Sequence, residues 1–338
     1  MGQACIGLIG AGVMGSRHAL SLAALPEAKL AAVADAAVER AEALAAEFGA
    51  APYGDYREML AKERPEAVIV ATSDPAHRDP CVAAAQAGAH ILVEKPLATS
   101  LADCDAIAAA AWEAGVRVLV GHTLRWEPRY ALAQQAAARG ELGPVSYIYA
   151  RRNNLQSVAR RVARETNVAR FLSIHDIDWA QWVLGERACR VVARTVTRVL
   201  TDLATPDAYF MLIRFPSGAL ACIEAAWLLP AQGSAPFDFQ AEVAGAKATL
   251  SISVQDQGVR VDAKGGLRFP DILYGPVVRG VAQGVYVEEL RHFLDVIRGR
   301  AEPLCGVAEA RAAVAVLLAA EESAATGAEV AVSHAEAG

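Results

Sequence analysis

Over the first 120 residues, short and largely apolar runs alternate with longer alanine-rich stretches of helical period, and few folds accommodate that alternation. The runs are Cys5–Ile9, Leu30–Ala34, Ala67–Val70, His90–Val93 and Arg117–Val120. Each is too short for a helix and shows no alternating polar face, as expected of strands covered on both sides. The intervening stretches, Met14–Leu25, Val38–Phe48, Tyr56–Ala61, Ala76–Ala87 and Leu101–Ala114, can each cross back over a sheet. Repeated strand–helix–strand units of this kind build a doubly wound parallel sheet with helices on both faces. Ser100 ahead of Leu101, with Asp103 in the first turn, marks a helix start, and Gly88 and Gly115 fall where helix ends are expected.

Beyond Gly121 the texture changes. A helix is predicted at Pro128–Arg139, then a break at Gly140–Pro144. Longer alternating strands follow at Val145–Arg151, Arg190–Val199, Tyr209–Phe215, Ala219–Trp227, Phe237–Val243 and Ala248–Ser253. One helix, His175–Val183, interrupts them, and two more, Val285–Arg298 and Val307–Thr326, close the chain. Pro216-Ser217-Gly218 and Gly245-Ala246 read as hairpin turns, which imply an open, mostly antiparallel sheet in an α+β domain. The chain of 338 residues suits two domains at about 150 residues each, here 1–123 and 124–338.

Composition narrows the partners. Apolar residues make up 54% of the chain, enough for sizeable cores, and 32 basic against 38 acidic residues give a net charge of −6. That balance argues against nucleic acid or an anionic membrane as a partner. No stretch approaches the roughly 20 strongly apolar residues of a membrane span. Met1–Ile6 has no basic leader character, so a cytoplasmic protein is expected. The six cysteines are scattered without C-x-x-C spacing and read as buried reduced thiols; the seven histidines show no ligand spacing, so no metal site is expected.

The strongest local signal is Gly10-Ala11-Gly12-Val13-Met14-Gly15, directly after the first strand and opening the first helix. Gly10 permits the tight turn, Gly12 lets backbone approach a pyrophosphate, and Gly15 allows close packing of helix on strand. Phosphates there meet unpaired N–H groups, including those of Val13 and Met14, and the positive end of the helix dipole. Asp35 ends the second strand about 20 residues on, where a carboxylate accepts from a ribose 2′-hydroxyl and repels a 2′-phosphate. The next arginine, Arg40, falls inside a helical pattern, so NAD is favoured over NADP.

Glu94-Lys95-Pro96 stands at the carboxyl end of the fifth strand, where open parallel sheets bind their ligands. Together with Gly121-His122-Thr123-Leu124-Arg125-Trp126, Ala150-Arg151-Arg152-Asn153 and His175-Asp176-Ile177-Asp178-Trp179, in this order, the pattern resembles the Gfo/Idh/MocA family of oxidoreductases. The resemblance covers nearly the whole chain. It implies a Rossmann domain followed by an α+β domain, NAD or NADP as cofactor, and oxidation or reduction of a carbinol of a sugar, cyclitol or sugar derivative. It also implies that Lys95 is the active-site lysine, that Glu94 and Lys95 border the cofactor, that His175 is the catalytic histidine, and that the Lys95–Pro96 peptide is often cis. A histidine suits the task because it can take and return the hydroxyl proton near neutral pH, while Lys95 would hold the same oxygen.

Two departures stand out. Where inositol-dehydrogenase-like members carry an aspartate four residues before the histidine, this chain has Phe171. Asp178, one helical turn after His175, is a candidate orienter, and Asp176 is less well placed. Arg151 stands where those members have a substrate-contacting histidine. It opens a basic stretch of Arg151, Arg152, Arg160, Arg161, Arg164 and Arg170 with one acid, Glu165. That stretch reads either as a solvated face or as a clamp for an anionic sugar acid, sugar phosphate or nucleotide-linked sugar. The expected substrate set is Arg125, Trp126, Arg151, Asn153, Arg170 and Phe171, with Asn154, Tyr149 and Trp227 as further contacts or core.

The expected function is hydride transfer between NAD and such a carbinol. Two other readings stay open: a glycosidase that retains NAD and acts by transient oxidation and elimination, and a non-catalytic NAD-linked sugar sensor. An exposed apolar sheet face in the second domain would need cover, so a homo-oligomer is expected.

Overall fold

The computed structural model describes residues 2–230, 237–254, 257–263 and 266–334. Their contacts divide the chain into two compact units, 1–126 with 272–311 and 127–271 with 312–338.

In the first unit, β1 (Ala4–Ile9), β2 (Ala28–Ala34), β3 (Ala51–Tyr53), β4 (Ala67–Val70), β5 (His90–Val93) and β6 (Val118–Val120) form one parallel sheet in the order β3-β2-β1-β4-β5-β6. The order reverses between β1 and β4, which makes that point the natural ligand crevice. The crossovers are α1 (Val13–Leu22), α2 (Val38–Phe48), α3 (Tyr56–Glu63), α4 (Arg78–Gln86) and α5 (Leu101–Ala114). The central strands are apolar throughout because both faces are covered: β4 is wholly buried, as are Ile6, Leu8 and Ile9 of β1. Ser100 caps α5 by accepting the Asp103 N–H at 3.1 Å, and Gly115 closes it in the left-handed region. The expected helix from Ala76 begins only at Arg78, because a single 3₁₀ turn, Asp74–Ala76, precedes it. β3 went unread: it has three residues and contains Pro52, which is tolerated because the strand lies at the sheet edge.

The second unit opens with α6 (Pro128–Ala138) and is built on β7 (Val145–Leu155), β8 (Arg190–Val196), β9 (Ala208–Arg214), β10 (Leu220–Leu229), β11 (Phe237–Gly245) and β12 (Thr249–Ser253). Their order is β12-β11-β7-β10-β9-β8, with Val330–Ala331 beside β8; β7 and β10 run parallel and the other pairs antiparallel. Both expected hairpin turns are present: Phe215 N–H donates to Ala219, and Gly245 N–H to Ala248. β7 runs four residues past its expected end at Arg151, because β11 pairs with it as far as Asn154 and β10 as far as Leu155. Not one helix but two follow it, α7 (Gln156–Val162) and α8 (Ile174–Leu184), joined through a π-helical turn at Ala169–Ser173. α7 is seven arginine-rich residues with no side-chain cap, too short and polar to leave a periodic signal.

Strand alternation gives this sheet two unlike faces. Ile148, Ala150 and Arg152 point toward α8, whereas Tyr147, Tyr149, Arg151 and Asn153 point to the open side. On that side Tyr147, Phe210 and Leu212 are each 45% exposed.

Residues 272–311, expected in the second domain, pack in the first unit. Their helix α9 (Val285–Ile297) sets Val287, Leu290, Phe293 and Leu294 into the core with Leu22, Leu25 and Leu30. The last helix, α10, spans Val307–Thr326 as expected. No described helix is long and apolar enough to cross a membrane. The cysteines are all free, with Cys81, Cys104 and Cys305 buried as expected but Cys5 and Cys222 exposed.

Candidate active site

The glycine turn between β1 and α1 is built for close approach. Gly10 has φ +101°, and a Cβ there would fall 2.5 Å from the Ala71 carbonyl oxygen. At Gly15 a Cβ would fall 1.9 Å from the Gly10 oxygen, so both positions exclude any side chain. At Gly12 the same atom would meet nothing within 4 Å, which leaves the helix N-terminus open. α1 has neither a side-chain cap nor an acid in its first turn, so the leading N–H groups around Val13 and Met14 present positive charge to that space. Asp35 follows β2 and is pinned by backbone: it accepts from Ala11 N–H at 2.7 Å and Ala37 N–H at 2.8 Å. Arg40 lies on the exposed side of α2. A phosphate-binding turn and a carboxylate fixed beside it fit a dinucleotide.

At the carboxyl end of β5, Glu94 is buried and the Lys95–Pro96 peptide is cis. His18 Nε2 lies 2.8 Å from Glu94 Oε1, and Lys95 N–H donates to Oε2 at 3.3 Å. Burial alone would raise the Glu94 pKa. The His18 hydrogen bond and the charges of His18, Lys95 and His77 outweigh it and hold the carboxyl below its usual range. His77, also buried, brings Nδ1 to 2.8 Å from the Pro96 oxygen and Nε2 to 3.2 Å from that of Thr72, which ties the turn to β4. Neither His18 nor His77 belongs to a motif that the sequence reading assigns a role. A signal was present: Gly15, His18, Ala19 and Leu22 share one face of α1, so His18 sits among core positions. Arg125 is 5% exposed, and its Nη1 donates to the Leu304 carbonyl at 2.5 Å. Trp126 packs on His292 at 5.7 Å between ring centres.

In the second unit, α8 carries His175, half-buried, and Asp178, buried, one turn apart on roughly one face. Asp176 has a different task. It receives Arg152 Nε and Nη2 at 2.7 Å each, a buried two-pronged pair that fastens α8 to β7. The Arg152 guanidinium also lies 4.5 Å over the Phe239 ring. Phe171, on the π-helical turn, packs against Trp227 with ring centres 5.8 Å apart. Trp227 is fully buried, so it is core and not a wall for a substrate ring.

Most arginines of the basic stretch are paired with acids. Arg151 pairs with Asp238 at 2.8 Å and Arg160 with Asp202 at 2.5 Å. Arg170 engages both oxygens of Glu321 at 2.7 Å, and Asn167 donates to the same carboxylate. With Arg152 on Asp176, four of the six arginines are answered by acids between 24 and 151 residues away, beyond the reach of a local charge count. Arg151 and Asn153 moreover point away from α8, on the open side of the sheet. There Asn153 and Tyr149 both donate to Glu224, at 2.8 and 2.9 Å. Burial, then the Glu224 hydrogen bond, pushes the Tyr149 hydroxyl up to about 12. Asn154 has the opposite parity and shares the α8 face with Arg152.

A profile described as "Oxidoreductase family, NAD-binding Rossmann fold" matches residues 5–122, and one described as "GFO/IDH/MocA C-terminal domain" matches residues 130–251. Scyllo-inositol 2-dehydrogenase (NAD(+)) of Bacillus subtilis (strain 168) is 31% identical over 306 residues, 88% of this chain and 87% of that protein. D-apiose dehydrogenase of Paraburkholderia graminis is 30% identical over 308 residues, 88% of this chain and 81% of that one. Among solved structures, GenD2 from gentamicin A biosynthesis in complex with NAD is 26% identical, with a TM-score of 0.84 over 99% of this chain and 97% of that one. Two profiles that take up the two halves in order, and relatives that span most of both chains, leave one assignment: the chain belongs to the Gfo/Idh/MocA oxidoreductase family.

Proposed function

We propose that the protein is an NAD-dependent dehydrogenase that oxidises a carbinol of a neutral cyclitol or sugar. The observation that carries this reading is the shared edge of the first unit's sheet. The glycine turn, Asp35 and the Glu94-Lys95-Pro96 turn all follow the carboxyl ends of strands β1, β2 and β5, flanking the point where strand order reverses. Val13 and Met14 N–H groups receive the pyrophosphate, Gly12 leaves room for it, and Asp35 accepts from the adenosine ribose and disfavours a 2′-phosphate. When bound, the nicotinamide supplies the hydride acceptor.

Lys95 holds the carbinol oxygen and stabilises negative charge as it develops there. His175 receives the hydroxyl proton and returns it in the reverse direction, with Asp178 as the acid one turn away that orients it. Phe171 gives the histidine no hydrogen-bond acceptor, so that support falls to α8 itself. A neutral polyol is favoured over an anionic substrate because Arg151, Arg152, Arg160 and Arg170 are already engaged by Asp238, Asp176, Asp202 and Glu321. The names of the two relatives, an inositol and an apiose dehydrogenase, point the same way.

The test is NADH formation from NAD or NADP with a panel of cyclitols, free sugars, sugar acids and nucleotide sugars, with Lys95→Ala as blank. The expected signal is confined to neutral substrates with NAD. A signal only with anionic sugars reverses the substrate assignment, and silence across the panel in a protein that binds NAD removes the dehydrogenase reading.

A further inference from the structure

Glu289, on α9, is fully buried, and neither oxygen of its carboxyl has a hydrogen-bond partner. An ionised carboxylate left so would be among the costliest groups a core can hold. Its neighbourhood sharpens the difficulty. A Cβ built on Gly121 would lie 3.5 Å from Glu94 Oε2 and 3.6 Å from Glu289 Oε1, so the two oxygens are separated by no more than those two distances laid end to end. Glu94 has His18 on Oε1 and the Lys95 N–H on Oε2. Glu289 has nothing comparable.

We propose that Glu289 is a positioning residue for the Glu94–Lys95 turn, present as a neutral carboxylic acid so that Glu94 is the single anion of the pocket and its charge stays directed at His18 and Lys95. The proposal deepens the dehydrogenase reading and rests on the role given there to Lys95. Two like charges so close in an apolar site cannot both ionise cheaply, and the group with partners is the one that stays charged. Burial first, and then the charge of Glu94, push the Glu289 carboxyl well above its ordinary range. The other ionisable groups acting on this pair include Arg17 and His18 on α1, His77, Lys95, and Tyr286 one turn back on α9. Tyr286 accepts from Arg17 at 3.2 Å, and burial first pushes its hydroxyl up to about 12, so it is neutral at neutral pH. Once Glu289 ionises, a second anion competes with Glu94 for Lys95 and His18, and the turn loses its fixed charge pattern.

The experiment compares wild type with Glu289→Gln, whose amide copies the shape of the neutral acid. The infrared difference spectrum should contain the carbonyl stretch of a protonated carboxyl at neutral pH that is lost in E289Q. NADH binding, followed by fluorescence, should weaken at alkaline pH in wild type, and that limb should be lost in E289Q. The band reports the proton, and the alkaline limb reports the positioning role, since a purely structural role for Glu289 leaves that limb unmoved. Should E289Q fail to fold, Glu94→Gln serves: without the neighbouring charge the Glu289 band should titrate away at lower pH than in wild type. No band attributable to Glu289, or an alkaline limb unchanged by the substitution, overturns the proposal. Neither readout uses a substrate, so a failed substrate panel leaves this result standing, and a failed band leaves the dehydrogenase reading standing.

Discussion

Asp35→Ser tests the cofactor assignment most directly, because the structure gives the carboxylate two separable tasks. It accepts the backbone N–H groups of Ala11 and Ala37, and it is the group assigned to the ribose hydroxyl. A hydrogen bond to a charged acceptor contributes about 1.5–3 kcal/mol, and about 1.4 kcal/mol is a factor of ten. Loss of the ribose bond should therefore weaken NAD roughly 10- to 150-fold. Removing the charge acts oppositely on NADP: a unit pair at 4 Å in water interacts by about 1 kcal/mol, so NADP should gain at least about fivefold against a phosphate. Together the NAD/NADP preference should fall by at least about 50-fold. The assay is titration of both reduced cofactors by fluorescence, with a thermal melt on each sample, since the substitution also disturbs the bonds from the Ala11 and Ala37 N–H groups. Asp35→Asn removes the charge while keeping an oxygen for one of the two backbone N–H groups. If D35S keeps its fold and its original preference ratio, Asp35 is not the ribose ligand.

Other substitutions probe the scaffold around the site. Arg152→Met leaves Asp176 buried without its partner and should cost about 3–5 kcal/mol in denaturant unfolding, whereas changing Asp176→Leu as well should recover most of that; a single variant as stable as wild type removes the pair as the anchor of α8. Leu212→Arg on the open side of the second sheet should dissociate a homo-oligomer, read as a drop in mass by light scattering, with no change if that face is simply solvated. Asp207 is buried, and although burial opposes its charge, the N–H groups of Arg198, Val199 and Leu200 hold its pKa below the ordinary value. Its contribution is thus full above the ordinary carboxylate range and is lost as pH falls through its folded value. Asp207→Asn should lower stability at neutral pH and shallow the acid limb of the melting curve; an unchanged limb contradicts the assignment.

How far the sequence could be read depended on whether a feature is local. The alternation of short apolar runs and helices located five of the six strands of the first sheet, since burial on both faces writes itself into consecutive residues. The glycine turn and Asp35 were legible for the same reason: a tight turn, an open helix end and a strand-end acid occupy fixed offsets along one strand–helix–strand unit. Lys95 and His175 came instead through a resemblance carried by several motifs in order. What stayed hidden was pairing across the chain. Arg170 and Glu321 are 151 residues apart, Arg152 and Asp176 stand on different elements, and Arg151 meets Asp238 only because β7 and β11 run side by side. A composition count therefore saw six arginines and one acid where the folded chain has ion pairs. Parity was the second blind spot. Arg151 and Arg152 are neighbours in sequence, yet a strand sends them to opposite faces, so the expected substrate contact points to the open side while the residue passed over anchors the histidine's helix. Glu289 repeats the first failure, being an ionisable residue on an amphipathic helix whose meaning depends on a glutamate far upstream. A glutamate at that place in a core has no reason to persist as a charge, and that is why its proton is the feature most worth measuring.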